Sequence, residues 1–313
     1  MSHLGIPLEG NIISILPSGY HSDVILLTDT GNGKKEVLKI ISKDDFKNEG
    51  IAKQLGDDIR LYHSELLKVG IPTSESLTYQ LLQRESIWTL IVRMPYHGID
   101  LQQQLKRGDL SATAATLQIL RSINPLLKLN RFPIGIDTKA ANFTSNGPDD
   151  EKACYIDLMP ARIRRDGKPV VDWPDTLTGK AYRLAHWRSF TPAGIITVFL
   201  SQISRVRIDC RVEIKTALRE FLRAEGLTSL IEYLESAPWE GFANKSGQQQ
   251  RQIVDTLKSH DLYVFREIAQ ELVSANRMPA EELEKIFQKT HFYEGLMEDA
   301  AVIDVQEIFL QYI

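Results

Sequence analysis

Two short stretches decide how this chain is read: Ile134-Gly135-Ile136-Asp137-Thr138-Lys139-Ala140-Ala141-Asn142-Phe143, and, past a polar interval, Cys154-Tyr155-Ile156-Asp157-Leu158-Met159-Pro160. The helical spacing that dominates the sequence beyond residue 98 stops here, and acidic residues stand beside apolar, strand-like runs. The interval from Thr144 to Lys152 is polar and contains Asn146-Gly147, a hairpin signal, so Asn142 and Asp157 are expected to meet across a hairpin. Phosphoryl transfer needs a carboxylate for the acceptor hydroxyl, oxygen ligands for Mg²⁺ on the nucleotide phosphates, and a cation for developing charge. Asp137 can take the hydroxyl proton, Asn142 and Asp157 can offer oxygens to Mg²⁺, and Lys139 can approach the transferred group. Singly, each of these residues is as ordinary in a turn, a cap or a strand end. Their joint spacing carries the argument.

Working outward, the first 95 residues read as strands broken once by a helix. The runs 11–16, 24–28 and 36–41 are apolar and β-branched, with turn chemistry between them. From Asp44 to Val69 the spacing becomes helical, with Ile51, Leu55, Ile59, Tyr62 and Leu66 on one stripe, and Gly70 and Pro72 end it. Leu77 to Gln83 and Ile87 to Met94 add two strands. Pro95-Tyr96-His97-Gly98 reads as a hinge, after which helical stripes dominate: Leu117, Leu120, Ile123 and Leu127, then Ile214, Leu218, Phe221 and Leu222, then Ile253, Leu257, Phe265 and Leu272.

This arrangement resembles the protein-kinase-like superfamily, which includes protein kinases and the aminoglycoside and choline phosphotransferases. D-x-K-x-x-N followed about fifteen residues later by an apolar strand ending in Asp is similar to the catalytic loop and metal-binding Asp of that family. The resemblance implies an α+β, bilobal protein-kinase-like fold. An N-terminal nucleotide-binding lobe, 1–94, would carry a five-stranded antiparallel sheet plus a helix. A larger, mainly helical catalytic and substrate-binding lobe would span 95–313. Lys39, in the third strand, matches the phosphate-contacting Lys of V-A-I-K, and strand alternation places it on the face of Val37 and Ile41. Its acidic partner would be Asp58 or Glu65 on the helix, with Glu49 a third choice. Ser18 and Gly19 occupy the place of the glycine-rich phosphate loop, with one glycine where protein kinases usually have three. Met94 to Tyr96 would contact adenine.

Two departures concern the acceptor. Gly135 stands two residues before Asp137, where the catalytic-loop His is usual, and Leu158-Met159 follow Asp157 in place of Phe-Gly. Between Asp157 and Asp172 there is no Ser, Thr or Tyr to phosphorylate, so a switched activation loop is not expected. The implied activity is ATP- and Mg²⁺-dependent transfer of the γ-phosphoryl group to a hydroxyl of a small molecule. A divergent Ser/Thr protein kinase, and a nucleotide-binding pseudokinase serving as an interaction module, are the alternatives. The basic run Arg162, Arg164, Arg165 could line an anionic pocket, although such runs are usually solvated. Tyr182, His186 and Trp187 read as packing, and Cys154 as a strand residue.

Composition limits the rest. With 313 residues, 43% of them hydrophobic and 25% charged, the chain is expected to be a folded globular protein with a sizeable core. Lys and Arg total 37 against 41 Asp and Glu; a net charge of −4 gives no footprint for nucleic acid or an anionic membrane. Two cysteines are too few for a disulfide framework, and the chain opens without a leader pattern, so a cytoplasmic home is expected. No apolar run approaches the length of a membrane span.

Overall fold

The computed structural model describes residues 10–16, 22–173, 176–257, 262–292 and 299–313. The N-terminal part is one antiparallel sheet of β1 (Asn11–Leu16), β2 (Asp23–Asp29), β3 (Lys35–Phe46), β4 (Thr78–Arg84) and β5 (Ile87–Pro95), in the order β1-β2-β3-β5-β4. Alternation gives the sheet two apolar faces. Ile25, Leu27, Leu38, Ile40 and Ile91 cluster on one; Ile41, Leu90, Val92 and Met94 join the main core on the other, where Val37 also packs. Lys39 lies between Val37 and Ile41 and shares their face, as alternation predicts.

Helix α1 (Glu49–Val69) covers that second face. The Asn48 side chain accepts from the Gly50 amide to start it, and Gly70 at φ 87° ends it. Two details differ from the sequence reading. β3 runs on through a register shift to Phe46, which pairs with Trp88 and is buried, so the helix begins at Glu49 and not at Asp44. The buried stripe is Ala52, Leu55, Ile59, Tyr62 and Leu66, whereas Ile51 is 47% exposed.

Beyond residue 95 the chain is mainly helical. β6 (Ile99–Asp100), β7 (Phe143–Ser145) and β8 (Cys154–Tyr155) form a small sheet, and β9 (Arg164–Arg165) pairs with β10 (Lys168–Pro169). Around them stand α2 (Leu101–Arg107), α3 (Ala112–Leu127), α4 (Gly179–Phe190), α5 (Pro192–Val206), α6 (Arg211–Ala224), α7 (Thr228–Ser236), α8 (Gly247–Thr256), α9 (Leu262–Ser274), α10 (Ala280–Phe292) and α11 (Asp299–Leu310). α5 is the central one, packed against α4, α6 and α9, with Ile195, Ile196, Phe199 and Leu200 fully buried. Each such side chain contributes about 1.5–3 kcal/mol through burial. Among the described residues no helix is long and apolar enough to cross a membrane.

Candidate active site

β7 and β8 pair Phe143 with Tyr155 and Thr144 with Cys154, the hairpin expected from the sequence. Its connection is longer than a two-residue Asn-Gly turn: the Asp150 carboxylate accepts from Ser145 Oγ at 3.0 Å and from the Asn146 amide at 2.7 Å, and so gathers the loop. Asn142 immediately precedes β7, and Asp157 follows β8 by two residues. Antiparallel pairing therefore sets them side by side, with Asn142 Nδ2 3.3 Å from Asp157 Oδ2. The same amide nitrogen donates to the Asp137 carbonyl at 3.1 Å. A carbonyl accepts only, so this bond fixes which way the amide faces and turns Asn142 Oδ1 away from it.

The loop carrying Asp137 is pinned from several sides. The Gly135 amide donates to Arg162 O at 2.8 Å, and the Ile136 amide to Ser189 O at 3.0 Å. The Thr138 hydroxyl donates to Ile195 O on α5 at 3.0 Å. Tyr62, on α1, donates its hydroxyl to Gly135 O at 2.7 Å, and the Asp137 amide donates to the Tyr155 hydroxyl at 3.4 Å. Burial pushes both phenol pKa values above the ordinary tyrosine range, so both remain neutral hydrogen-bonding groups. In the sequence Tyr62 reads only as part of a helical stripe, and Tyr155 only as part of an apolar, strand-like run. Their hydroxyls order the loop that lacks a His at 135, and a Cβ at Gly135 would lie 2.6 Å from the Phe190 ring.

Charge converges on the same spot. Lys139 Nζ lies 3.4 Å from Asp137 Oδ2. Arg162 places Nη2 3.5 Å from Asp137 Oδ2 and Nη1 3.4 Å from Asp157 Oδ2, and its side chain is only 4% exposed. Burial opposes its charge, the Asp137 and Asp157 carboxylates favour it, and its pKa lies above that of an ordinary arginine. The basic run thus has three destinations. Arg162 enters the site, Arg164 donates to Phe132 O at 2.6 Å and lies over the Phe190 ring, and Arg165 pairs with Asp58. The signal for Arg162 was its setting between Ala161 and Ile163, both buried.

Lys39 reaches this cluster from the sheet: its Nζ donates to Ile156 O, next to Asp157, at 2.7 Å. Burial lowers its pKa, and the Asp157 carboxylate acts in the opposite direction. The acidic partner expected from α1 is a correction. Asp58 sits 2.8 Å from Arg165, and Glu65 sits 2.6 Å from Lys68 on its own helix. Burial raises the pKa of Asp58, with Arg165 opposing it. Among the remaining expected residues, Met94 is buried opposite Val37, and the Tyr96 amide donates to Lys35 O at 3.1 Å where the chain leaves the sheet. That amide is therefore engaged and not turned to a ligand. Ser18 and Gly19 lie outside the described residues. Tyr182, His186 and Phe190 stack along α4 as packing, and burial raises Cys154 to about 12.

Among the described residues no group of three or more His, Cys, Asp or Glu could hold a metal. Mg²⁺ characteristically takes one or two protein oxygens and completes its shell with phosphate and water. Asn142 Oδ1 and Asp157 Oδ1, which carry no hydrogen bond among the described residues, fit such a sparse set.

No protein-family model matches the chain. Over 164 residues, 52% of this chain, the sequence is 24% identical to the kinesin-like protein KIN-UC of Arabidopsis thaliana, and the match covers 15% of that protein. At that identity and coverage no family membership follows.

Proposed function

We propose that the chain is an ATP- and Mg²⁺-dependent phosphotransferase of protein-kinase-like, bilobal fold, with residues 1–94 as the nucleotide-binding lobe and 95–313 as the catalytic lobe, acting on a hydroxyl of a small molecule. One observation carries the reading: Asp137, Asn142 and Asp157, from a stretch of 21 residues, form a single bonded cluster with Lys139 and Arg162, and Lys39 from the sheet donates to the residue beside Asp157.

In this reading the Asp137 carboxylate orients the acceptor hydroxyl and takes its proton. Lys139 stands beside that carboxylate, where charge develops on the transferred group. Lys39 contacts the α- and β-phosphates, and its partly desolvated ammonium gains a counter-charge when they arrive. Asn142 and Asp157 hold Mg²⁺, which when bound neutralises phosphate charge. The rate gain comes from positioning and electrostatic stabilisation.

The test is incubation of the full chain with γ-labelled ATP, Mg²⁺ and a pool of hydroxyl metabolites, with Asp137→Asn alongside. Label passes into a small molecule with the parent protein, and the variant loses about 10²–10⁴ of that rate while retaining nucleotide binding. Label in protein substrates instead selects the protein-kinase alternative. Binding without transfer selects the pseudokinase.

A further inference from the structure

Arg162 stands between the two carboxylates of the site with 4% of its side chain exposed. Its contacts to Asp137 Oδ2 and Asp157 Oδ2 measure 3.5 and 3.4 Å, Nη1 also lies 3.4 Å from Pro160 O, and Nε is buried with no hydrogen-bond partner among the described residues. A guanidinium clamped as a fork on one carboxylate makes two short, parallel bonds. Arg162 instead divides long contacts between two acids and leaves a donor unused, the geometry of a cation held by the field of both. Like charges in a poorly solvated site repel; Lys139 lies 3.4 Å from Asp137 Oδ2 and Lys39 is felt by Asp157, but among the described residues Arg162 is the cation that contacts both acids. Asp157 is also the acid that would meet Mg²⁺.

We propose that Arg162 is the resident counter-ion of this site: in the unliganded protein it balances Asp137 and Asp157 together, and when metal-bound nucleotide enters it yields Asp157 to Mg²⁺ and keeps Asp137. The inference rests on the phosphotransferase reading and deepens it. Arg162 acts through the two acids and is a positioning residue. Removing its charge improves the site for a bare divalent ion and worsens it for turnover, because Asp137 keeps Lys139 but loses the cation that ties it to Asp157.

The experiment follows thermal unfolding of the full chain against Mg²⁺ concentration without nucleotide, for the parent protein, Arg162→Met, Arg162→Lys and Arg162→Met combined with Asp157→Asn. Arg162→Met melts below the parent in metal-free buffer and recovers with Mg²⁺ at a midpoint roughly tenfold or more below the parent's, since the divalent ion replaces a lost buried charge. Adding Asp157→Asn abolishes that gain. Arg162→Lys, whose single ammonium cannot reach both acids, falls between the two, and carries the test if Arg162→Met does not fold. In turnover, kcat falls and KM for ATP·Mg²⁺ does not rise. Equal Mg²⁺ midpoints in the parent and a folded Arg162 variant overturn the counter-ion role; a parent protein still stabilised by ATP·Mg²⁺ then leaves the phosphotransferase reading standing. No response to Mg²⁺ in any variant, with none to ATP·Mg²⁺ in the parent, overturns both.

Discussion

The Tyr62 hydroxyl donates to the carbonyl oxygen of Gly135 at 2.7 Å, joining α1 to the loop that carries Asp137 across 73 residues of sequence. Both groups are buried. Tyr62→Phe leaves the Gly135 carbonyl without this donor and destabilises the protein by about 1–3 kcal/mol, read as a shift in the denaturant midpoint. On the proposed phosphotransferase reading the same loop positions Asp137, so phosphoryl transfer falls further than the loss of folded protein accounts for. A variant as stable and as active as the parent would show that the bond holds nothing in place.

Lys39 gives a prediction of opposite sign for stability. Burial penalises its ammonium, so the folded-state pKa lies below the unfolded value near 10.4. In that window the unfolded chain binds more protons, and stability rises with pH between the lowered folded value and the unfolded one. Lys39→Met removes the penalty: its melting temperature at neutral pH is higher than the parent's, the alkaline rise disappears, and stabilisation by ATP·Mg²⁺ is lost. A lower melting temperature would mean that the bond to Ile156 O outweighs desolvation.

Gly98 tests how the sheet is joined to the hairpin of the site. Its φ is +93°, and a Cβ there would lie 2.6 Å from the carbonyl oxygen of Ser145, where β7 pairs with β6. Backbone cannot swing aside as a side chain can. Gly98→Ala therefore destabilises by about 1–3 kcal/mol in thermal unfolding. An unchanged melting temperature would contradict this close approach.

In the helical part, Arg211 pairs with Glu267 at 2.8 Å and with Glu271 at 3.0 Å, and Glu267 is fully buried. Burial raises the pKa of Glu267, and Arg211 opposes it. Arg211→Met leaves a buried carboxylate without that partner and destabilises by about 3–5 kcal/mol near neutral pH. A carboxyl whose folded pKa lies above its unfolded value favours folding at low pH and loses that contribution as pH rises toward the folded value. The deficit of Arg211→Met accordingly shrinks as pH is lowered toward the carboxylate range. A deficit that grows on acidification would contradict the assignment.

The meeting of Asn142 with Asp157 was legible because local rules suffice for it: turn residues between two short apolar runs imply a hairpin, and a hairpin imposes proximity. The sheet strands and the face of Lys39 followed from alternation. Partner choice did not. Asp58 and Glu65 are both on α1 and neither pairs with Lys39: Glu65 pairs with Lys68, and Asp58 with Arg165, 107 residues beyond it, which no local pattern could bring to that helix. Tyr62 satisfies an apolar helix stripe and Tyr155 an apolar strand with their rings, and both organise the loop with hydroxyls that such patterns do not register. The end of β3 was misjudged because Asp44 and Asp45 resemble a helix start, whereas Phe46 continues the pairing with β5.

The central claim is that Lys39, Asn142 and Asp157 hold a metal-bound triphosphate beside Asp137. Calorimetric titration of the full chain with ATP, with and without Mg²⁺, tests it most directly. The account predicts saturable binding that is strengthened by Mg²⁺, with the Mg²⁺-dependent part removed by Asp157→Ala and binding retained in Asp137→Asn. A flat titration of the parent protein in the presence of Mg²⁺, or an isotherm that Asp157→Ala leaves unchanged, would contradict it.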